Sequence, residues 1–136
     1  MKVMIDTNIF ISAILFPNGQ ASKALIKALT PPFQPIVCNY ILEELRRKFQ
    51  DKFPDKTNML EDFLSQSLSV IRVAETPAKE IKDEILVRDV KDRPIIRAAV
   101  NSNVDLLLTG DKDFLDSLVE VPQIISVAEF LNNSYQ

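Results

Sequence analysis

The sequence of 136 residues contains no histidine, no tryptophan, one cysteine and only two glycines. Without histidine, neither a Ser-His-Asp nor a Cys-His nucleophile system can operate. A structural zinc site is nearly excluded as well, because one cysteine and no histidine fall short of its usual ligands. The lone Cys38 leaves no partner for an internal disulfide. No apolar run approaches the ~20 residues of a membrane span. Asp6 interrupts the apolar N-terminus and no small-residue cleavage site follows, so the stretch does not read as a secretory signal. These absences predict a cytoplasmic protein with no membrane partner. They also mean that any hydrolytic chemistry rests on carboxylates or on oxygen-bound metal.

What is present is ordinary for a globular chain. Hydrophobic residues make up 46% and charged residues 26%, without internal repeats or low-complexity segments. The length predicts a single domain over residues 1–136 with a real core. A net charge of −3 argues against coating nucleic acid by bulk charge, though not against a local basic patch.

The first fifteen residues organise the rest. Lys2 to Ile5 reads as a short buried strand, and Asp6, Thr7 and Asn8 follow at once. In an open parallel α/β sheet, ligands sit at the carboxyl ends of strands. Asp6 there, with Asn8 two residues on, is placed either to hold a hard cation through oxygen or simply to cap the helix that follows.

Further on, Phe16-Pro17-Asn18-Gly19 reads as a turn, and Ala21 to Leu29 as a helix ended by Pro31 and Pro32. Pro35 to Cys38 is a second strand, and Asn39 is the predicted N-cap of a helix from Tyr40 to about Phe49. On that helix Ile41, Leu42, Leu45 and Phe49 form the apolar stripe. At ~100° per residue, Glu44 lies at the stripe's edge, able to face a cleft, and Glu43 points away. The alternative for Glu44 is a surface pair with Lys48. Arg46, Arg47, Lys48 and Lys52 form a basic cluster that is either a solvated face or a phosphate contact.

Asn58 to Leu68 is predicted helical and Ser69 to Val73 a third strand. Thr76-Pro77 is expected to open another helix to about Val87. Asp92 stands at the start of the next helix, with Pro94 in its first turn. It reads either as an N-cap or as a ligand, and Asp89 is its rival further from the helix. A fourth strand, Leu106 to Leu108, runs into Thr109-Gly110-Asp111, where Gly110 permits a sharp turn that exposes Asp111. Asp113 enters the short helix beyond. Gln123 to Ser126 is a fifth strand, and Ser126 with Glu129 forms a capping box for a last helix ending near Asn132.

Strands alternating with helices define a three-layer α/β/α domain with a parallel sheet. If the first and fourth strands are neighbours, Asp6 and Asp111 meet at a topological switch point, with Glu44 and Asp92 within reach of the same crevice. Four carboxylates left alone there would repel one another. A divalent cation, Mg²⁺ or Mn²⁺, would offset that repulsion.

The ordered set of motifs resembles the PIN-domain nucleases. It comprises Asp6-Thr-Asn8, Glu44-Leu45, Asp92 with Ile95 and Ala99, Thr109-Gly-Asp111-Lys-Asp113-Phe114, and the ending Ile124 to Leu131. The resemblance spans nearly the whole chain. At this size it is closest in type to the single-domain toxins of prokaryotic toxin–antitoxin pairs, VapC-like. It implies a five-stranded sheet in the order 3-2-1-4-5 and metal-dependent cleavage of RNA to 5′-phosphate and 3′-hydroxyl ends. Carried over position by position, Asp6, Glu44, Asp92 and Asp111 are the catalytic metal ligands, Asp113 a further ligand, and Asn8 and Thr109 their supports. Such a set suits in-line hydrolysis at phosphorus, two divalent ions ~3.5–4 Å apart activating water and stabilising the leaving oxygen. Arg46, Arg47, Lys48, Arg93 and Arg97 are candidates for holding the RNA backbone. A cognate antitoxin and a homodimer, built through the apolar second and fourth helices, are implied partners. One departure is the loop before the third acid, Asp89-Val-Lys-Asp92, where the family often carries Asp-Pro or more acids.

Other readings fit less well. A phosphoaspartate receiver needs paired acids after its first strand, and here there is one. A haloacid-dehalogenase-type phosphatase needs a second Asp where Asn8 stands. The serious alternative is a PIN-like fold acting as a catalytically silent binding module.

Overall fold

A computed structural model of the chain, in which residues 1–135 are described, folds around a five-stranded parallel sheet. The strands are β1 (Lys2–Ile5), β2 (Gln34–Cys38), β3 (Arg72–Ala74), β4 (Leu106–Leu108) and β5 (Gln123–Ile125). Their order is β3-β2-β1-β4-β5. Met4 of β1 lies opposite Ile36 on one side and Leu107 on the other. Val3, Met4 and Ile5, like Leu106 to Leu108, are wholly buried, as expected of central strands covered on both faces. At the edge, β3 exposes Arg72 and Val73 and buries only Ala74.

Among the described residues seven α-helices pack around the sheet: α1 (Thr7–Leu15), α2 (Gln20–Leu29), α3 (Asn39–Lys52), α4 (Thr57–Ser67), α5 (Arg93–Asn101), α6 (Lys112–Leu115) and α7 (Val127–Asn132). Helices α1 to α4 pack on one another, and α7 returns to lie on α2. Helix α5 packs against β2 and α3, and α6 against β5. The largest fully buried side chains include Phe10, Phe49, Phe114 and Phe130, distributed from α1 to α7, so a single core joins both ends of the chain. No single helix among the described residues is long and apolar enough to cross a membrane.

The ends of the chain meet at the start of the strands. The amino terminus donates to the carbonyl of Pro32, and the ring of Phe33 packs edge-on against Phe130 and Tyr135. Beneath these rings lies the Lys27 ammonium, 4.6 Å from the Phe130 centroid, which also donates to the carbonyls of Phe130 and Asn133.

Three local expectations are corrected. The helix predicted from Thr76 to about Val87 is absent: residues 75–81 are irregular and only Lys82–Leu86 forms a 3-10 turn. The amide and hydroxyl of Thr76 both donate to Oδ1 of Asn39, at 2.9 and 2.7 Å, which ties Thr76 to α3. Glu84 bends back to accept from the amide of Ile81 and faces Arg97 of α5, so tertiary polar contacts override helix propensity in this segment. Asn39, expected as the N-cap of α3, is instead its first residue, after Cys38 in the cap position. The third strand starts three residues later than predicted, at Arg72 rather than Ser69.

Candidate active site

Because β1 and β4 are adjacent, their carboxyl ends open into one crevice at the switch point of the sheet. The amide of Asp6 donates to the carbonyl of Leu108 at 3.0 Å, the last link between the two strands. Asp6 itself is 3% exposed. Its Oδ1 accepts from the amide of Thr7 and its Oδ2 from the hydroxyl of Thr109, both at 2.8 Å. Burial pushes its carboxyl up to about 6; the two hydrogen bonds hold it down and the charges of Glu44 and Asp111 push it further up. Asp6 therefore fills one of the two roles its position suggested, capping α1, and it sits buried near other acids.

Thr109 joins two of those acids. The hydroxyl that donates to Asp6 accepts from the amide of Asp111 at 3.0 Å. Oδ1 of Asp111 in turn accepts from the amide of Asp113, capping α6. On α3, Glu44 is buried while Glu43 is exposed, as the helical stripe requires. Glu44 accepts a hydrogen bond from the hydroxyl of Thr7 and has Arg47 3.9 Å away, in place of the expected Lys48.

Tyr40 lies one helical turn before Glu44, on the same face of α3. Its hydroxyl donates to the carbonyl of Lys91, which fastens the turn carrying Asp92 to α3. Asp92 is 9% exposed, occupies the N-cap position of α5 and makes no capping hydrogen bond with its side chain. Burial, with the charges of Asp111, Asp6, Asp89 and Glu44 added to it, pushes the Asp92 carboxyl up to about 7. The expected quartet is thus gathered electrostatically around Asp92. The tightest acidic group is a different one, however: Asp89, Asp92 and Asp113 bring one carboxylate oxygen each within 4.8 Å of one another.

Asp113 is ion-paired with the exposed Arg88. Asn8 is exposed in the first turn of α1, without a side-chain hydrogen bond among the described residues, and the bond to Glu44 comes from Thr7 instead. Thr7 was within the quoted Asp-Thr-Asn motif, but only the packing of α1 against α3 gives it a role.

The basic candidates separate. Arg97 is a correction: its guanidinium clasps the buried Glu84 through Nε at 2.9 Å and Nη2 at 2.8 Å and donates to the carbonyl of Pro77, so it serves the interior. Arg46 is turned towards Glu61 of α4. Arg93 is half-buried, with its Nε on the carbonyl of Val87. Arg47 is exposed beside Glu44, and Lys48 is half-buried one turn along.

Carboxylates alone form the donor set, two of them destabilised as anions by burial and mutual repulsion. That chemistry suits a hard divalent cation.

Fold and crevice define the class, a doubly wound α/β domain with carboxylates gathered where the strand order reverses. The chain belongs to the PIN-domain family, whose model matches residues 2–113. An uncharacterised protein of Methanocaldococcus jannaschii is 32% identical over 123 residues, covering 85% of this chain and 74% of that protein. A UDP-N-acetylglucosamine 2-epimerase of Salmonella borreze is 30% identical over 124 residues, 90% of this chain but 31% of that protein. In the crystal structure of VapBC2 from Rickettsia felis bound to a promoter DNA fragment, one chain superposes with a TM-score of 0.69 at 19% identity, covering 93% of this chain and 98% of its own length. A chain of VapBC-1 from nontypeable Haemophilus influenzae gives 0.60 at 17%, covering 94% and 99%. At these identities the likeness is one of fold.

Proposed function

We propose that this protein is a divalent-metal-dependent endoribonuclease, the toxin of a toxin–antitoxin pair. The observation that carries the reading is Asp92, a carboxyl 9% exposed, surrounded by the charges of four other acids and making no side-chain hydrogen bond to cap its helix. An acid crowded by other acids at a switch point is suited to a cation that offsets their repulsion.

In this reading Asp6, Glu44, Asp92 and Asp111 hold Mg²⁺ or Mn²⁺, which supplies the charge that activates water and stabilises the leaving oxygen. Thr109 fixes Asp6 against Asp111, and Thr7 fixes Glu44. Arg47, Lys48 and Arg93 are the remaining contacts for the RNA backbone. The VapBC assemblies support an antitoxin partner for this chain. Ile26 on α2 and Met59 on α4, 61% and 45% exposed beside an apolar groove of about 400 Å³, support the homodimer. A cytoplasmic location belongs to the same reading.

The test is cleavage of a mixed RNA pool by purified protein with Mn²⁺ or Mg²⁺, against EDTA and against Asp92→Asn purified identically. Metal-dependent cutting by the wild type alone is expected. Equal cutting by both proteins overturns the assignment of Asp92. No cutting in any condition shifts the function to a silent binding module.

A further inference from the structure

Two lysines stand inside the acidic motifs. Lys91 lies between Asp89 and Asp92, and Lys112 between Asp111 and Asp113. The turns that carry them meet, because Asp89, Asp92 and Asp113 each bring a carboxylate oxygen within 4.8 Å of the others. Lys91 and Lys112 therefore belong to one rim of the crevice. The 3-10 turn Val90–Asp92 contributes the first, and the first turn of α6 the second.

Both side chains are exposed. Among the described residues neither ammonium pairs with an acid, although each has a carboxylate on either side in the chain. The nearby arginines differ: Arg88 is on Asp113, and Arg47 faces Glu44 at 3.9 Å. The backbone of each lysine, by contrast, is fixed. The amide of Lys91 donates to Oδ1 of Asp89 at 3.0 Å, and its carbonyl accepts from the hydroxyl of Tyr40 on α3. Lys112 opens α6 directly after the capping Asp111, and its carbonyl accepts from the amide of Asp116 at 2.8 Å. Each is a free charge on a fixed base.

A polyanion that comes to this crevice meets the carboxylates of Asp6, Glu44, Asp89, Asp92, Asp111 and Asp113, on a chain of net charge −3. Cations at the rim offset that repulsion. Arg47 and Arg88 are already engaged by acids, and Lys91 and Lys112 are not. An ammonium is a compact point charge with three donors, suited to phosphate oxygens without the planar match that a guanidinium needs.

We propose that Lys91 and Lys112 form a phosphate-binding pair at the rim of the crevice and hold the RNA backbone beside the acids. This rests on the nuclease reading and adds two substrate contacts to Arg47, Lys48 and Arg93. Neither lysine is a metal ligand. Both act on the position of the strand.

The experiment measures binding of fluorescein-labelled single-stranded RNA of mixed sequence to the purified full chain. Fluorescence anisotropy is read over a range of KCl concentrations in Ca²⁺, and a gel checks afterwards that the RNA is intact. Lys91→Gln and Lys112→Gln are each expected to weaken binding and to reduce the slope of log affinity against log salt by about 0.7, and the double variant by about 1.4. Lys91→Arg and Lys112→Arg keep the wild-type slope, because the charge is retained. Lys2→Gln, at the opposite end of β1, leaves the slope unchanged. Calorimetry with Mn²⁺ is expected to show metal binding no weaker in the glutamine variants than in the wild type, and circular dichroism melts check that each is folded.

A wild-type slope in the double variant overturns the proposal, and the nuclease reading stands if the wild type still cuts RNA in Mn²⁺. A slope that responds to one lysine alone overturns the pair. A slope that falls as expected in a protein that cuts no RNA supports the pair and removes the nuclease reading. If the wild type binds no RNA, both fall together.

Discussion

Thr109 and Asp6 stand 103 residues apart in the chain, and the hydroxyl of the first donates to Oδ2 of the second at 2.8 Å. The same hydroxyl accepts from the amide of Asp111. One small side chain therefore ties together two acids that follow neighbouring strands. Thr109→Val removes both bonds at once, leaving a buried carboxyl and a backbone amide short of a partner. The expected loss is about 1–3 kcal/mol in urea unfolding, and Thr109→Ser restores most of it. A valine variant as stable as the wild type would show that the hydroxyl is dispensable.

Without metal, the crevice is predicted to make the protein less stable as pH rises. Asp6 and Asp92 have carboxyls raised to about 6 and about 7 in the folded state, above their unfolded values. The folded chain then holds protons that the unfolded chain has released, so stability falls with pH through the interval between those values. Between about pH 5 and 8 in EDTA the loss is on the order of 2–4 kcal/mol, at about 1.4 per unit. Thermal melts in EDTA are expected to shift downwards across that range, and millimolar Mn²⁺ is expected to reverse the shift at the alkaline end. Asp92→Asn should flatten the EDTA profile. A melting temperature that climbs over the same interval in EDTA contradicts the burial of these acids.

Arg97 is predicted to matter for stability and not for RNA contact. With Glu84 it forms an ion pair whose side chains are 13% and 3% exposed, and Arg97 holds the Glu84 carboxyl below the usual carboxylate range. Removing one partner of a buried pair costs about 3–5 kcal/mol. Arg97→Ala is expected to lose that much in denaturant unfolding. The contribution is present above the unfolded value of Glu84 and disappears as pH falls through its lowered folded value. The salt dependence of RNA binding, measured below the melting temperature of the variant, is expected to stay as in the wild type, because no phosphate contact is removed.

Thr7 and Asn8 give a direct comparison of neighbours. Thr7 is buried with its hydroxyl on Glu44, whereas Asn8 is exposed. Thr7→Val is expected to lower RNA cleavage by about tenfold or more through a loosened ligand, and Asn8→Ala by less. Single-turnover cleavage at saturating Mn²⁺ measures both. The reverse order of effects would return the supporting role to Asn8.

Much of the fold was legible because its signals are local. The buried runs Val3 to Ile5 and Leu106 to Leu108, the Ile41–Leu42–Leu45–Phe49 stripe and the Ser126–Glu129 capping box each carry their structure in a few adjacent residues. The strand order came from resemblance, since no local signal says which strands pair. The segment after Thr76 misled for the opposite reason. Thr-Pro followed by Ala-Lys-Glu is sound helix-start chemistry, but Asn39 and Arg97 engage Thr76 and Glu84 from distant parts of the chain.

The candidate site divides along the same line. Asp6 and Asp111 could be placed from their positions after strands, whereas the helical phase of Glu44 left a surface pair with Lys48 open, and only the packing of α3 shows it buried. Whether Asp92 capped its helix or faced the crevice depended on a side-chain torsion that no spacing encodes, and the structure leaves its cap role unfilled. The proximity of Asp89 and Arg88 to Asp113 follows only from the approach of α6, from twenty-odd residues away.

The convergence of the chain's ends around Phe33 has a practical consequence. Met1 and Tyr135 both flank the Pro32–Phe33 turn, at the start of the strands, while the acids lie at their far ends. Met1 and Tyr135 thus lie at the opposite ends of the strands from the acids. An affinity tag, a fluorescent fusion or a surface tether can therefore be placed at either terminus without shading the acids. A short linker joining the two termini would give a circular permutant, with new ends opened in the irregular stretch 75–81, in which the sheet and its acids keep their present arrangement.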